Sequence, residues 1–291
     1  MSAAGRAVRH DGHSPFVDLH AHSTASDGSR FPRDVVRAAL AAGLSAIALT
    51  DHDTLAGIDE AAGVGNEIGV RVVAGVELSA VEGDEETHVL GLLISERAEM
   101  ERRLVEVRDM RVSRAERMVR RLNELGFPIT MAAVLKESAG GAVGRPHVAR
   151  ALIAGGWVLD FREAFDKLIG NGRPAFVGKD RLPMADAFSL IHRAGGLAIL
   201  AHPGGQLSRE RVASLVQLGL DGIEVLHPSH SSADLQHLDA LATDFHLVRS
   251  GGSDWHGAAE GPRTLGMMRV PAQWLADLEA RAAANASRRV A

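Results

Sequence analysis

Cysteine is absent from the chain's 291 residues, which removes disulfides, thiolate metal ligands and a cysteine nucleophile together. That absence fits a reducing compartment. Basic charge is not in excess: 32 Lys and Arg stand against 37 Asp and Glu, a formal charge of −5. This argues against a broad cationic platform for duplex DNA, while leaving room for a local basic groove. No apolar run approaches the ~20 residues that span a bilayer, and the longest, such as 196–201, fall far short. Residues 1–15 carry Arg, His and Asp where a secretory signal would place an apolar stretch. They read as a disordered leader, the residues after 285 read as a frayed tail, and the expected location is cytoplasmic. Two catalytic devices are also missing. Without a Gly-x-Ser-x-Gly elbow or a Walker-type phosphate loop, neither that serine chemistry nor ATP-driven phosphoryl transfer is expected.

What is present is a globular composition, 46% hydrophobic and 24% charged, with Gly and Pro dispersed along the chain. The length suits roughly two domains, or one α/β barrel of about 250 residues with an addition. Apolar, β-branched runs at 16–19, 46–50, 70–76, 88–94, 197–201, 222–227, 247–250 and 265–270 predict strands. Helical patterns fall between them. The clearest has Pro32 near its start, Val35, Val36, Ala39 and Leu40 on one face, and Gly43 at its end. Others fit 184–194, 208–218, 233–242 and 272–284. Strands this continuously apolar, alternating with helices, predict a parallel sheet covered on both faces and closed into a barrel, an α/β class fold. The alternation breaks at 96–182, where Met100, Leu104, Val107, Met118, Leu122 and Leu125 follow helical spacing before Gly126 and Pro128. Shorter helices at 131–138, 146–154 and 160–169 complete an expected helical insertion, or cap, between barrel segments 16–95 and 183–291. The long charged helix alone reads equally well as a solvated face.

Polar residues stand at the strand ends. Asp18-Leu19-His20-Ala21-His22 closes the first strand, with Ser26-Asp27-Gly28 after it, and Asp51-His52-Asp53 closes the second. Glu77 ends the third and His88 opens the next. His202, His227-Pro228-Ser229-His230 and Ser253-Asp254-Trp255-His256 follow the later strands. In a strand–helix barrel those ends share one rim, so residues distant in sequence converge there. His88 joins them if its strand runs against the others. A lone His-x-His or Asp-His-Asp has an ordinary reading as a solvated strand edge or a turn. The combination does not, because unpaired charges are costly to gather and desolvate. Imidazole and carboxylate without sulfur point to manganese, zinc or ferrous iron. His10, His13, His192, His237 and His246 fall in the leader, on helices or in loops and read as ordinary.

These motifs, Phe16-Val17-Asp18-Leu19-His20-Ala21-His22-Ser23, Ser26-Asp27-Gly28, Thr50-Asp51-His52-Asp53, Gly75-Val76-Glu77 and Gly252-Ser253-Asp254-Trp255-His256, resemble the polymerase-and-histidinol-phosphatase (PHP) family of metal-dependent phosphoesterases. The resemblance covers 16–95 and 183–270. The insertion, with Gly144-Arg145-Pro146-His147 and 179–185, is similar to the 3′,5′-nucleotide bisphosphate phosphatase subfamily, members of which also trim RNA from its 5′ end. It implies a distorted (β/α)7 barrel, with one of the eight strands peripheral, holding two or three divalent ions, usually manganese. It also implies a ligand allocation: His20, His22, Glu77 and Asp254 around one ion, Glu77 with His88 and His202 around another, and Asp27, His52 and His256 around a third. Asp18 and Asp51 read as acceptors that orient imidazoles, or as caps.

Such ions clamp phosphoryl oxygens and activate water, which suits a chain without a protein nucleophile. A second phosphate would need a cationic pocket, for which Arg145, His147 and Lys179 are the candidates, with Arg181 near. His230 reads as a phosphate contact or a proton donor to the leaving oxygen, or else as a packed residue; His227 ranks below it. The expected reaction is removal of the 3′-phosphate from a nucleoside 3′,5′-bisphosphate, with short 5′-phosphorylated RNA as a further substrate. Histidinol phosphate hydrolysis, amidohydrolase chemistry and a non-catalytic metal-stabilised module are the alternatives. The arginine-rich insertion counts against the first and the complete ligand set against the last, while the same cluster could support amidohydrolase chemistry.

Overall fold

Alternation along the strands separates two apolar layers. In β2 (Ala46–Leu49), Ala46 and Ala48 join Val17, Leu19, Val73, Leu90, Leu92, Leu197 and Ile199 in one buried cluster. Ile47 and Leu49 point the other way, against Val35, Val36 and Ala39 of α1 (Pro32–Ala41). The first cluster fills the inside of a curled sheet and the second lies between that sheet and its helices. The structure, a computed structural model, describes residues 15–82, 85–178 and 182–290. The leader expected over 1–15 therefore lies outside the described residues except for Pro15.

Eight strands run in the order β7 (Val248–Gly251), β6 (Gly222–Leu226), β5 (Leu197–Leu200), β4 (Glu85–Leu92), β3 (Arg71–Glu82), β2, β1 (Phe16–Ala21) and β8 (Val270–Pro271). The sheet is mixed rather than purely parallel: β4 is antiparallel to both β3 and β5. The expected strand at 265–270 shrinks to β8, which pairs antiparallel with Phe16 and Val17 at the outer edge. Beyond that edge β1 meets the chain leaving β7. Ala21 bridges Trp255 in parallel, the His22 N–H donates to the Trp255 carbonyl at 2.8 Å, and the barrel is nearly closed. Gly252 permits the approach, since a Cβ there would stand 2.4 Å from the His20 nitrogen.

Helices cover the outside. α2 (Ile58–Ile68) was not foreseen, because Gly63 and Gly65 blur its pattern. Gly65 is there for packing, as a Cβ would lie 2.5 Å from the Val70 carbonyl oxygen. α7 (Met184–Arg193), α8 (Arg209–Leu218) and α9 (Ser232–Asp244) follow the expected order. α10 (Ala272–Val290) runs through the stretch expected to fray, and Leu275 and Leu278 plug the lower end of the barrel.

Between β4 and α7 the chain is helical: α3 (Arg97–Glu124), α4 (Met131–Ser138), α5 (Arg145–Ala154) and α6 (Phe161–Ala164), the last continuing into a π-helical turn at Phe165–Ile169. Met118, Leu122, Val134, Val148, Leu152 and Ile169 belong to a separate apolar cluster. Met100 and Leu104, at the start of α3, pack instead into the barrel's outer core. One 28-residue helix thus belongs to both cores.

Candidate metal centre

A bulge in β1 builds the site. Asp18 lies opposite Ile47 and Ala21 opposite Leu49, three steps against two, so the extra residue turns both Leu19 and His20 inward. His20 and His22 then stand together at the rim, their Nε2 atoms 3.1 Å apart, both fully buried. Glu77, on the inward face of β3, reaches into the middle. Its Oε2 lies 3.4 Å from His20 Nε2, 3.2 Å from His22 Nε2 and 3.2 Å from His52 Nδ1. Its Oε1 lies 2.7 Å from His88 Nδ1 and 3.1 Å from His202 Nε2. The reversed direction of β4 is what brings His88 to this rim. Asp254 Oδ1 stands 3.4 Å and 3.3 Å from the same His20 and His22 nitrogens. Asp27 completes a second edge, 3.2 Å from His256 Nε2 and 3.8 Å from His52 Nε2.

Donor atoms from these side chains come close enough to share an ion in three groups: His22, Asp27, His52 and His256; His20, His22 and Asp254; and His52, Glu77 and His88. His22 and His52 each serve two groups, and His202 enters through Glu77. His22 Nδ1 and His52 Nδ1 are buried without a hydrogen-bond partner. Such orphaned nitrogens beside carboxylates are what a cation site looks like before its ion is counted. Asp53, His202 and Asp254 hold left-handed backbone conformations, with φ of 51°, 31° and 50°. For non-glycine residues these store about 1–3 kcal/mol each, concentrated at the rim.

Charge follows the geometry. Burial alone would raise Glu77, but His52, His88 and His20 outweigh it and hold its carboxyl well below the usual range. Burial is likewise overridden at Asp27, held well below its usual range by His52 and His256. His52 is driven well below the usual imidazole value by burial, and His256 is lowered for the same first reason. Neutral imidazoles beside ionised carboxylates are the protonation states that bind a divalent ion. His20 differs: burial would lower it, yet Glu224 and Glu77 raise it to about 10.

Several assignments change. Asp18 and Asp51 orient backbone and hydroxyls rather than imidazoles. Asp18 accepts the N–H of His20, Ser253 and Gly266 at 3.3, 3.0 and 3.0 Å, tying β1 to the chain after β7. Asp51 accepts from Ser23 and Ser26, fixing the loop that carries Asp27. The carboxylate that does orient an imidazole is Glu224 on β6, fully buried, 2.8 Å from His20 Nδ1 and accepting the His202 N–H at 2.7 Å. Its signal was a charged residue inside Ile223-Glu224-Val225, a run otherwise apolar.

His230 does not offer a proton to the site: its Nδ1–H donates to the Val225 carbonyl at 2.8 Å and its Nε2 accepts the Gly204 N–H at 3.2 Å. Burial lowers its pKa and keeps it neutral. His147 is also turned inward. Its Nδ1 accepts the Gly144 N–H at 2.9 Å, capping α5, its ring also bonds the Ser26 backbone, and burial lowers it to about 4. Arg145 does face the site. Held by Asn171 Oδ1 at 2.7 Å, it lines a cleft of about 300 Å³ with His88, His202, Thr87 and Arg211. It also lines a second hollow of about 190 Å³ with Asp27, His52, His88 and Arg111. Lys179 and Arg181 lie outside the described residues. Two buried arginines on α3 went unforeseen, because a helix rich in Arg reads as solvated. Arg111 pairs with Asp53 and donates to Ser79 Oγ at 3.1 Å, while Arg114 donates to the Val177 carbonyl at 2.8 Å. Arg111 thereby ties α3 to the loop beside His52.

A family model described as the PHP domain matches residues 18–130. The chain is 36% identical over 256 residues to a 5′-3′ exoribonuclease of Haemophilus influenzae, covering 82% of this chain and 89% of that one. It is 36% identical over 258 residues to a 3′,5′-nucleoside bisphosphate phosphatase of Chromobacterium violaceum, covering 86% and 90%. It is 36% identical over 245 residues to a phosphoribosyl 1,2-cyclic phosphate 1,2-diphosphodiesterase of Eggerthella lenta, covering 82% and 94%. Among solved structures, a Bifidobacterium adolescentis chain assigned as a metal-dependent phosphoesterase superposes with a TM-score of 0.83 at 32% identity, covering 91% of this chain and 96% of that one. With its nearly closed mixed barrel and its rim of buried imidazoles and carboxylates, the chain belongs to the PHP-domain family of metal-dependent phosphoesterases.

Proposed function

We propose that this chain removes the 3′-phosphate from nucleoside 3′,5′-bisphosphates, giving nucleoside 5′-monophosphate and inorganic phosphate. The observation that carries this reading is the cleft that begins at His88 and His202 and is walled by Arg145 and Arg211. A phosphate seated at that edge of the cluster leaves the second phosphate of the same small molecule facing two guanidiniums. Guanidinium groups match phosphate oxygens in pairs, and Asn171 presets the orientation of Arg145. Arg211 is steadied by Glu82 at 2.8 Å and Thr87 at 3.0 Å.

The donor set is nitrogen and oxygen only, which suits manganese, with zinc and ferrous iron also competent. We assign His20, His22, Glu77 and Asp254 to one ion, Glu77, His88 and His202 to a second, and Asp27, His52 and His256 to a third. Bound ions would neutralise phosphoryl oxygens and lower the pKa of a water. The chain's own residues do the rest. Glu224 keeps the His20 ring aimed and holds the His202 backbone, Glu77 links the two sides of the cluster, and Arg145 and Arg211 fix the distal phosphate. The Haemophilus relative's activity favours a second substrate, short 5′-phosphorylated RNA, whose terminal nucleotide presents comparable anionic groups.

Phosphate release with added Mn²⁺ tests this across adenosine 3′,5′-bisphosphate, 5′-phosphorylated oligoribonucleotides, a ribosyl 1,2-cyclic phosphate and p-nitrophenyl phosphate. The expected products of the first are adenosine 5′-monophosphate and phosphate, whereas adenosine 3′-monophosphate would reverse the polarity. Arg145→Ala removes a charged hydrogen bond worth about 1.5–3 kcal/mol, so KM for the bisphosphate rises about 10–100-fold. KM for p-nitrophenyl phosphate, which has no second anion, stays within about 3-fold. Equal effects on both substrates would sink the assignment of the cleft.

A further inference from the structure

His227 follows β6 directly and is 1% exposed. Its Nδ1 accepts the Ser229 N–H at 3.2 Å and lies 2.7 Å from Ser229 Oγ. A ring nitrogen that accepts a hydrogen bond carries no proton, so the neutral ring has its proton on Nε2. That Nε2 is buried and has no hydrogen-bond partner. It points toward the metal centre, where the Asp254 Oδ2 atom lies 3.5 Å away, just past hydrogen-bond reach. The ring sits beside two of the site's imidazoles, its centroid 5.2 Å from His202 and 6.2 Å from His20. A buried donor left unmade is destabilising, so this one implies a recipient. His230, two residues past Pro228, has both nitrogens committed to backbone and offers no such donor.

We infer that His227 is a positioning residue of the metal centre, its Nε2–H fixing the outer oxygen of Asp254 so that the inner oxygen faces the ion. The inference rests on the metal-centre reading given above. Asp254 already divides its oxygens this way: Oδ1 faces the His20 and His22 nitrogens, while Oδ2 faces His227 and is paired with the half-exposed Arg263. With an ion held on Oδ1, a small shift of the carboxylate would close the 3.5 Å separation to a hydrogen bond. Arg263 approaches from the exposed side and His227 from the buried side. The buried contact is the one that solvent cannot replace.

The test is Mn²⁺ binding by titration calorimetry to the full chain and to two variants. His227→Leu keeps the packing and loses the donor, and binding weakens by about 10–100-fold, as for other residues that orient a metal ligand. His227→Gln places an amide N–H near the position of the imidazole Nε2, and restores affinity to within about 5-fold of the unaltered chain. Without metal, His227→Leu melts no lower than the unaltered chain, because it removes an unpaired buried N–H. In the unaltered protein, ¹⁵N imidazole shifts report the Nε2–H tautomer, a measurement that needs no variant. Mn²⁺ affinity unmoved in His227→Leu, or an Nδ1–H tautomer, overturns the inference. An unaltered chain that binds no Mn²⁺ overturns the metal-centre reading and the inference with it. One that binds Mn²⁺ in a His227-dependent way but leaves bisphosphates intact overturns the substrate reading alone.

Discussion

At the scale of single residues, His20 sets the acid–base behaviour of the cluster. Burial opposes its proton, yet Glu224 and Glu77 hold its pKa at about 10 in the metal-free protein. Glu224 itself is held near 2, burial being outweighed by His20. A divalent ion therefore has to displace a proton, and its affinity grows as pH rises from 7 toward 10 because that competition fades. Glu224→Gln removes the principal acceptor on His20 Nδ1. It is expected to weaken Mn²⁺ binding about 10-fold while releasing fewer protons per ion at pH 8. Calorimetry in two buffers of different ionisation heat measures that release, and equal values for variant and parent would contradict the account. Which residue types gather at the rim was readable from the chain, since Asp, Glu and His ended one apolar run after another. Which His of the His227–His230 pair looks inward was not. That depends on who accepts from the backbone amides of Ser229 and Gly204, a matter of turn geometry that residue type does not encode.

At the scale of elements, apolar runs bounded by Gly, Pro and Asp located β1 through β7 because most residues of these strands are buried whichever face they take, β7 the least so. The features that escaped detection are those set by a neighbour. α2 is broken in pattern by glycines, of which Gly65 is required by packing, the β1 bulge exists only relative to β2, and the strand expected over 265–270 is trimmed to the two residues of β8 that pair with the edge of β1. The same holds for α3, where Arg111 and Arg114 look like solvent-facing residues until Asp53 and the Val177 carbonyl are set against them. The start of α5 carries a pH prediction. Burial first, then Arg150 and Arg111, lower His147 to about 4 against an ordinary 6.5, with Asp27 opposing. The unfolded chain takes up this proton more readily than the folded one. The contribution is thus fully present above pH 6.5 and is lost as pH falls from 6.5 toward 4, up to about 3 kcal/mol. Urea unfolding at pH 7 and pH 4.5 should show a smaller acid loss for His147→Ala than for the parent. Identical losses would exclude this role.

At the scale of the whole molecule, the cluster draws on β1 and the loop after it, on β3 and β4, and on the loops after β2, β5 and β7, so an ion bound there would hold most of the barrel rim together. An ion at 100 times its Kd stabilises the folded state by about 2.7 kcal/mol. For a chain of this size that corresponds to roughly 4–5 °C in Tm. Thermal unfolding with and without Mn²⁺, and again after chelation, should show a rise and its reversal. A Tm that stays put in excess Mn²⁺ would argue that the rim holds no cation in the folded state.

Asp18 reaches the backbone amides of Ser253 and Gly266, and Ala21 pairs with Trp255, so the first strand is completed by some of the last residues of the barrel to leave a ribosome. During synthesis, His20 and His22 emerge more than two hundred residues ahead of Asp254 and His256. A nascent chain can therefore display seven of the nine proposed ligands before these two emerge, and the groups that need Asp254 or His256 are the last that could close. On the proposed ligand set, a full complement of ions would have to wait for the last part of the barrel, and a copy folded without them would keep its rim of imidazoles and carboxylates ready to be filled.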